Sequence, residues 1–373
     1  MRHELKVGFT GARRAPSFGH IGSLEGVTNW ALMDPDPENL ARGAAALGVK
    51  HQFADFEALL ESGIDALVVA SPMPAHVPQS VAALERGVHV LCEVNAATNL
   101  EECQQLLDAV RASRAKYMMA ENYVYGKAQQ LVRGMVEAGL FGEVHYCEGA
   151  YLHDCVSLYA NPDGSLTWRG DLRARKRGST YGTHSLGPCL NWMQDRVRTV
   201  CCMGSGMHRW KRGRMDDTTV MLCQTEKGHL IVIGHDSVSK RPHNMTWYLL
   251  QGAKGCYEAA RGFGDDHKVW VEDFHGEDEN QWHSLWDFEA EFMPEPWRSL
   301  SEKAAAAGHG GGDYFVAYEF VRSIINDTDP PIDVFRTLDM TLCDMASQES
   351  IARGGAPVPV PNPRTDRLFP AAP

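Results

Sequence analysis

Over its first 122 residues the chain alternates short apolar runs with stretches of helical periodicity, and few architectures accept that rhythm. LKVGFTG from Leu5, VTNWALMD from Val27, DALVVAS from Asp65, VHVLCE from Val88 and KYMMAEN from Lys116 read as strands. Between them PENLARGAAALG, HVPQSVAALERG and LEECQQLLDAVRASRA have apolar positions at helical spacing. Short strands alternating with helices predict a parallel sheet covered on both faces, because each crossover must pass over the sheet. The expected fold class is therefore α/β, with an N-terminal doubly wound Rossmann domain over residues 1–122.

Beyond that point the pattern changes. EVHYCEGAYL, TTVMLCQ, GHLIVIGHDS and TWYLLQGAKGCYEA succeed one another with little helix between them, which predicts an α+β domain with a large, mostly antiparallel open sheet. Residues 123–355 are assigned to it. DYFVAYEFVRSIIN, from Asp313 to Asn326, predicts a helix with Asp313 as its N-cap. The Pro-rich tail, 356–373, is expected to be extended and to lie over a surface. A chain of 373 residues with 44% hydrophobic content can bury more than one core.

The net charge of -12 removes the broad positive field that a phosphate backbone needs, so no nucleic-acid partner is expected. One local exception is RGDLRARKRG from Arg169 to Gly178; it reads as a solvated loop or as a site for an anionic substrate group. Arg173 and Arg175 are its candidate substrate contacts. The ten cysteines show no CxxC pair, which fits neither a disulfide framework nor a zinc site. No metal is predicted, reduced thiols point to a cytoplasmic location, and no run of about 18 apolar residues calls for a membrane.

Gly8, Thr10 and Gly11 form a turn at the end of the first strand, a near match to GxGxxG with Thr10 and Arg13 at its second and third glycine positions. Asp34 ends the second strand 26 residues after Gly8 (34 minus 8), suited to accept from ribose hydroxyls. An acid there favours NAD over NADP, a preference that the nearby Arg13 and Arg14 weaken.

The segment DALVVASPMPAHVPQSVAALERGVHVLCEVNAA resembles the Gfo/Idh/MocA superfamily (glucose-fructose oxidoreductase, inositol dehydrogenase and MocA). That resemblance puts Ser71, Pro72 and His76 on the nicotinamide side. Where dehydrogenases of the superfamily carry Glu-Lys-Pro, this chain has Glu93-Val94-Asn95, so the usual lysine is missing.

Five motifs in order give a narrower resemblance to the NAD-dependent α-N-acetylgalactosaminidases, a glycosidase branch of that superfamily. They are EVNAA from Glu93, ENYVY from Glu121, EGAYLHD from Glu148, YGTHSLGP from Tyr181 and GHGGGD from Gly308. Alone, YGTHSLGP reads as a capped turn with a satisfied histidine, since Gly182, Gly187 and Pro188 disfavour a long helix. With the other four motifs it reads as catalytic.

The mechanism implied by the resemblance is oxidation at C3 of a sugar, loss of the C2 proton, departure of the aglycone, hydration and re-reduction. Tyr181 and Tyr125 become the candidate bases, in an order the motifs do not assign; His184 acts at C3, and Glu93 anchors or polarises. His153 and His309 are candidate substrate contacts, and Asn122, Trp168 and Arg169 join Glu93 as candidate cofactor contacts. The basic run suggests an anionic sugar. The partners implied are a carbohydrate and further copies of the chain, as a dimer or tetramer. The rival readings are a sugar or cyclitol dehydrogenase with net oxidation, and an idle ligand sensor on the same fold.

Overall fold

The computed structural model describes residues 4–274, 278 and 280–369. It divides into two compact units: residues 1–125, 302–341 and 363–373 in one, 126–301 and 342–362 in the other. The first unit thus takes in two later segments, one of them within the C-terminal tail.

Six parallel strands, β1 (Leu5–Thr10), β2 (Val27–Met33), β3 (His51–Phe53), β4 (Ala66–Val69), β5 (His89–Cys92) and β6 (Tyr117–Met119), form the sheet of the first unit. Their order is β3-β2-β1-β4-β5-β6, so the chain reverses its winding direction between β1 and β4. Ligands of doubly wound sheets bind in the crevice beyond the strand ends at that switch. β4 is buried along its whole length, as its unbroken apolar sequence requires. β3 has no counterpart among the strands expected from the sequence: it is a three-residue edge strand whose exposed HQF carries no apolar signal.

The second unit carries nine strands in the order β14-β13-β12-β11-β7-β10-β9-β8-β15. They are β7 (Val144–Leu152), β8 (Val197–Gly204), β9 (Thr218–Thr225), β10 (Leu230–Asp236), β11 (Asn244–Gly252), β12 (Gly255–Glu258), β13 (Lys268–Val271), β14 (His283–Ser284) and β15 (Val358–Pro359). Every pairing is antiparallel except β7 with β10. In the tail, β15 pairs with β8, and Val358 and Val360 are buried rather than laid on a surface.

Two local expectations are corrected. YGTHSLGP is not a turn: an eleven-residue helix, Thr183–Met193, runs straight through Pro188. Proline removes the N–H that would reach back four residues to the carbonyl of His184. That carbonyl instead accepts from the phenol of Tyr248 on β11 at 2.6 Å. The other correction concerns Asp313. Helix Gly312–Ile325 is capped by Gly311, and Asp313 lies inside its first turn with its carboxylate turned to other partners.

The helix Thr183–Met193 sits directly on β7. A Cβ on Gly149 would fall 2.6 Å from the carbonyl oxygen of Ser185, so only glycine lets the two backbones meet. Replacing Tyr248 by Phe removes this donor to the His184 carbonyl at almost constant volume. We expect Tyr248→Phe to cost about 0.5–1.5 kcal/mol in urea unfolding, the net worth of one hydrogen bond.

Candidate active site

In the first unit the end of β1 meets the end of β4 at Gly11. Its φ is 78°, and a Cβ there would lie 2.2 Å from the carbonyl oxygen of Ala70, so both conformation and space demand glycine. Thr10 turns its hydroxyl inward and donates to Gln79 Oε1 at 3.0 Å, which explains why the second glycine of the fingerprint is dispensable. Asp34, buried at the end of β2, accepts from the backbone N–H of Ala12 at 2.8 Å and of Asp36 at 3.0 Å. These bonds fix the carboxylate beside the turn.

His76 is buried between two backbone carbonyls, with Nδ1 2.8 Å from that of Asn95 and Nε2 2.9 Å from that of Ser71. Both ring nitrogens can satisfy these acceptors together only as the imidazolium. Burial opposes that charge; the neighbouring Cys92 and the two carbonyls prevail and push the ring up to about 9. His76 ties the turn after β4 to the turn after β5.

The hub of this unit is Asp313, which is fully buried. It accepts from Asn122 Nδ2 at 2.7 Å, from Arg14 Nη2 at 3.4 Å and pairs with His309 Nδ1 at 3.0 Å. Arg14 in turn donates to Glu93, whose second oxygen accepts from the N–H of Val94 at 2.9 Å. Arg14 is thus committed to two acids. Burial alone would raise the Asp313 carboxyl, but His309, Arg14 and Asn122 hold it down at about 2. His309 adopts a positive φ of 52° ahead of Gly310 and Gly311, and the backbone packs so closely that a Cβ on Gly312 would lie 2.5 Å from the carbonyl oxygen of Asn122. Asn122 Oδ1 is buried without a partner. Tyr125 closes the same buried stretch, and Val94, where the dehydrogenases have lysine, is also buried.

A glycine cradle, a fixed acid at the end of the second strand and an orphaned amide oxygen are what a dinucleotide asks of this face. The residues present fit NAD.

In the second unit Asp344 accepts from the N–H of Gly182 at 3.1 and 3.2 Å and so seats the start of the helix Thr183–Met193. A proline at 182 would have no N–H to give to this carboxylate. Tyr181 and His184 then pack edge to face at 4.8 Å between ring centroids. Tyr151 on β7 stands 5.5 Å from Tyr181 and 5.3 Å from His184, and its phenol lies 2.9 Å from Nδ1 of His153. His153 packs on His243 at 4.1 Å. Beside Tyr151, on the neighbouring strand, is buried His235, whose ring is pushed down to about 3 by burial first, then by Arg173 and His184.

The basic run is a helix, Trp168–Arg175, rather than a loop, with Thr167 accepting from the N–H of Gly170. Arg169 stacks on Trp168 at 4.5 Å. Arg173 is buried against Tyr159, whereas Arg175 is exposed and paired with Asp171 at 2.8 Å. Of the two arginines named from the sequence, only Arg173 faces the interior. Sequence reasoning does not single out Tyr151, His235, His243 or Arg14 as site residues, and it gives Asp313 only a capping role. Tyr151 lies inside the quoted EGAYLHD, and nothing local marks the others.

Residues 7–121 match the model of the oxidoreductase family with an NAD-binding Rossmann fold, and residues 205–366 match the C-terminal domain of glycosyl hydrolase 109. The chain belongs to the Gfo/Idh/MocA superfamily, in its glycosyl hydrolase 109 branch. A glycosyl hydrolase family 109 protein of Solibacter usitatus is 28% identical over 386 residues, covering 95% of this chain and 86% of that one. An α-N-acetylgalactosaminidase of Tannerella forsythia is 28% identical over 349 residues, covering 83% and 73%. Among solved structures, a levoglucosan dehydrogenase in complex with NADH and L-sorbose superposes with a TM-score of 0.80 at 20% identity, covering 96% of this chain and all of that one. This family member is an NAD-dependent enzyme of glycoside-hydrolase type on an oxidoreductase fold. Among the described residues no helix is long and apolar enough to cross a membrane.

The Asp313 hub generates a test. Held near 2 rather than its usual 3.8, this carboxylate adds stability that is complete above pH 3.8 and fades as the pH falls towards 2. The shift corresponds to about 2 kcal/mol. Asp313→Asn should therefore show its stability deficit in urea unfolding at pH 7, with the gap to the parent narrowing below pH 4. Fluorescence titration should show NADH affinity reduced on the order of tenfold, about 1.4 kcal/mol, as Asn122 loses its anchor.

Proposed function

We propose that the chain cleaves glycosides by transient oxidation of the sugar at C3. A ketone at C3 acidifies the C2 proton; its removal expels the aglycone from C1, water adds to C1 of the resulting enone, and reduction of the ketone restores the ring. NAD, held by the Gly11 turn and Asp34, would supply the hydride acceptor and donor for C3. There is no net redox change.

The observation that carries this reading is the contact of Tyr181 and His184 with Tyr151. A phenol packed against imidazoles has a neighbour able to hold its proton or stabilise its anion, which is what removal of a hydroxyl or carbon-bound proton requires. Tyr181 and Tyr125 are assigned as the two bases, in either order, and His184 positions or protonates the oxygen at C3. Glu93, fixed by Arg14 and the Val94 N–H, anchors a sugar hydroxyl. Hydrolysis without oxidation would ask for two free carboxylates flanking the glycosidic bond. The acids adjoining the cluster's histidines are engaged: Asp154 pairs with Arg209 at 2.8 Å, and Asp236 accepts from Thr218 and Ser239.

Cell location and assembly belong to the same reading: a cytoplasmic enzyme in which copies of the chain associate. The decisive experiment measures aglycone release and the absorbance of reduced nicotinamide together, with aryl glycosides of both anomers. Release without accumulating NADH is expected, and Tyr181→Phe should lower kcat by about 10²–10⁴. NADH formed mole for mole with oxidised sugar, without aglycone, would make the protein a dehydrogenase.

A further inference from the structure

Basic side chains around the Tyr181–His184 cluster fall into two groups. Arg175, Arg177 and Arg209 each pair with a carboxylate, of Asp171, Asp216 and Asp154, at 2.8 Å. Arg173 does not. It is 7% exposed, its Nη1 donates to the sulfur of Met215 at 3.3 Å, and its guanidinium lies 5.5 Å from the centre of the Tyr159 ring. No carboxylate lies within ion-pair distance of it among the described residues. Arg169, one turn earlier and stacked on Trp168, likewise has no acid partner there.

A buried guanidinium without a counter-charge is costly: removing water from a cation is repaid only by an anion and by hydrogen bonds. Here a sulfur and a ring face take the place of the carboxylate. The acids nearest the cluster are taken up elsewhere, Asp154 by Arg209 and Asp236 by Thr218 and Ser239. His153 is held below its usual range by burial, His243, Arg169 and His184, which outweigh the opposing pull of Asp154. His235 Nε2 and the hydroxyl of Thr219, opposite each other on β10 and β9, are buried polar atoms without partners. Unused donors and acceptors beside an uncompensated cation describe a site that expects an oxyanion with polar substituents.

We propose that Arg173, assisted by Arg169, receives a carboxylate carried by the sugar, so that the substrates are glycosides of uronic acids. A planar guanidinium matches a planar carboxylate with two parallel hydrogen bonds. The assignment rests on the reading of the Tyr181–His184 cluster as the sugar site. It goes beyond that reading by naming the class of sugar.

Calorimetric titration of the NAD-loaded protein tests it with glucuronate and galacturonate against glucose and galactose. Hexose 6-sulfate, hexose 6-phosphate and inorganic sulfate serve as further arms. A uronate should bind about tenfold or more tightly than its neutral counterpart. That preference should vanish in Arg173→Gln and shrink in Arg169→Gln. Should Arg173→Gln fail to fold, raising salt from about 50 to about 500 mM must weaken uronate binding and leave the neutral sugars unaffected. Equal affinity for neutral sugars overturns the proposal, as does inorganic sulfate binding as well as any sugar. A sulfated or phosphorylated hexose that outbinds both uronates overturns the carboxylate assignment. Neutral glycosides cleaved without net NADH, with no uronate preference, would sink the substrate class while sparing the glycosidase. Uronate preference without cleavage of any glycoside would do the reverse.

Discussion

A backbone-to-backbone contact governs the placement of the Tyr181–His184 cluster in the second unit. Gly149 brings β7 against the carbonyl of Ser185, and that seat fixes the helix Thr183–Met193 over the sheet. Because the helix begins just after Tyr181, its placement sets Tyr181 and His184 over Tyr151. Two longer-range bonds hold it there: Asp344 takes the N–H of Gly182, and Tyr248 supplies the bond that Pro188 cannot. Loss of any of these would move the Tyr181 and His184 rings before it unfolded the unit, since each acts on the first two turns of one helix.

The first unit is organised around a charge instead. Asp313 gathers Arg14, Asn122 and His309, and through Arg14 it reaches Glu93. A buried carboxylate is tolerable only with such partners, and it returns the cost by orienting groups drawn from four separate segments. Arg14, near enough in sequence to suggest a contact with a ribose phosphate, is spent on this network. The preference for NAD inferred from Asp34 is stronger for it.

Much of this is legible in the sequence where the signal is local. Fully buried parallel strands must be continuously apolar, so DALVVAS and VHVLCE stand out, whereas exposed HQF does not. The helix through YGTHSLGP escapes a local reading because the penalty of Pro188 is cancelled by Tyr248, 64 residues away (248 minus 184). Asp313 looks like a helix cap for the same reason: its true partners, at positions 14 and 122, belong to other elements. The motif resemblance points to Tyr181, His184 and Glu93. Tyr151 and His235 meet only through the pairing of β7 with β10.

The central claim is that the glycosidic bond breaks by elimination after oxidation at C3, and the fate of the C2 hydrogen tests it most directly. Turnover in deuterated water, monitored by NMR of the released sugar, should show one deuteron at C2 in each product molecule while the hydrogen at C3 is retained. Product that keeps its original hydrogen at C2 throughout turnover would contradict the mechanism.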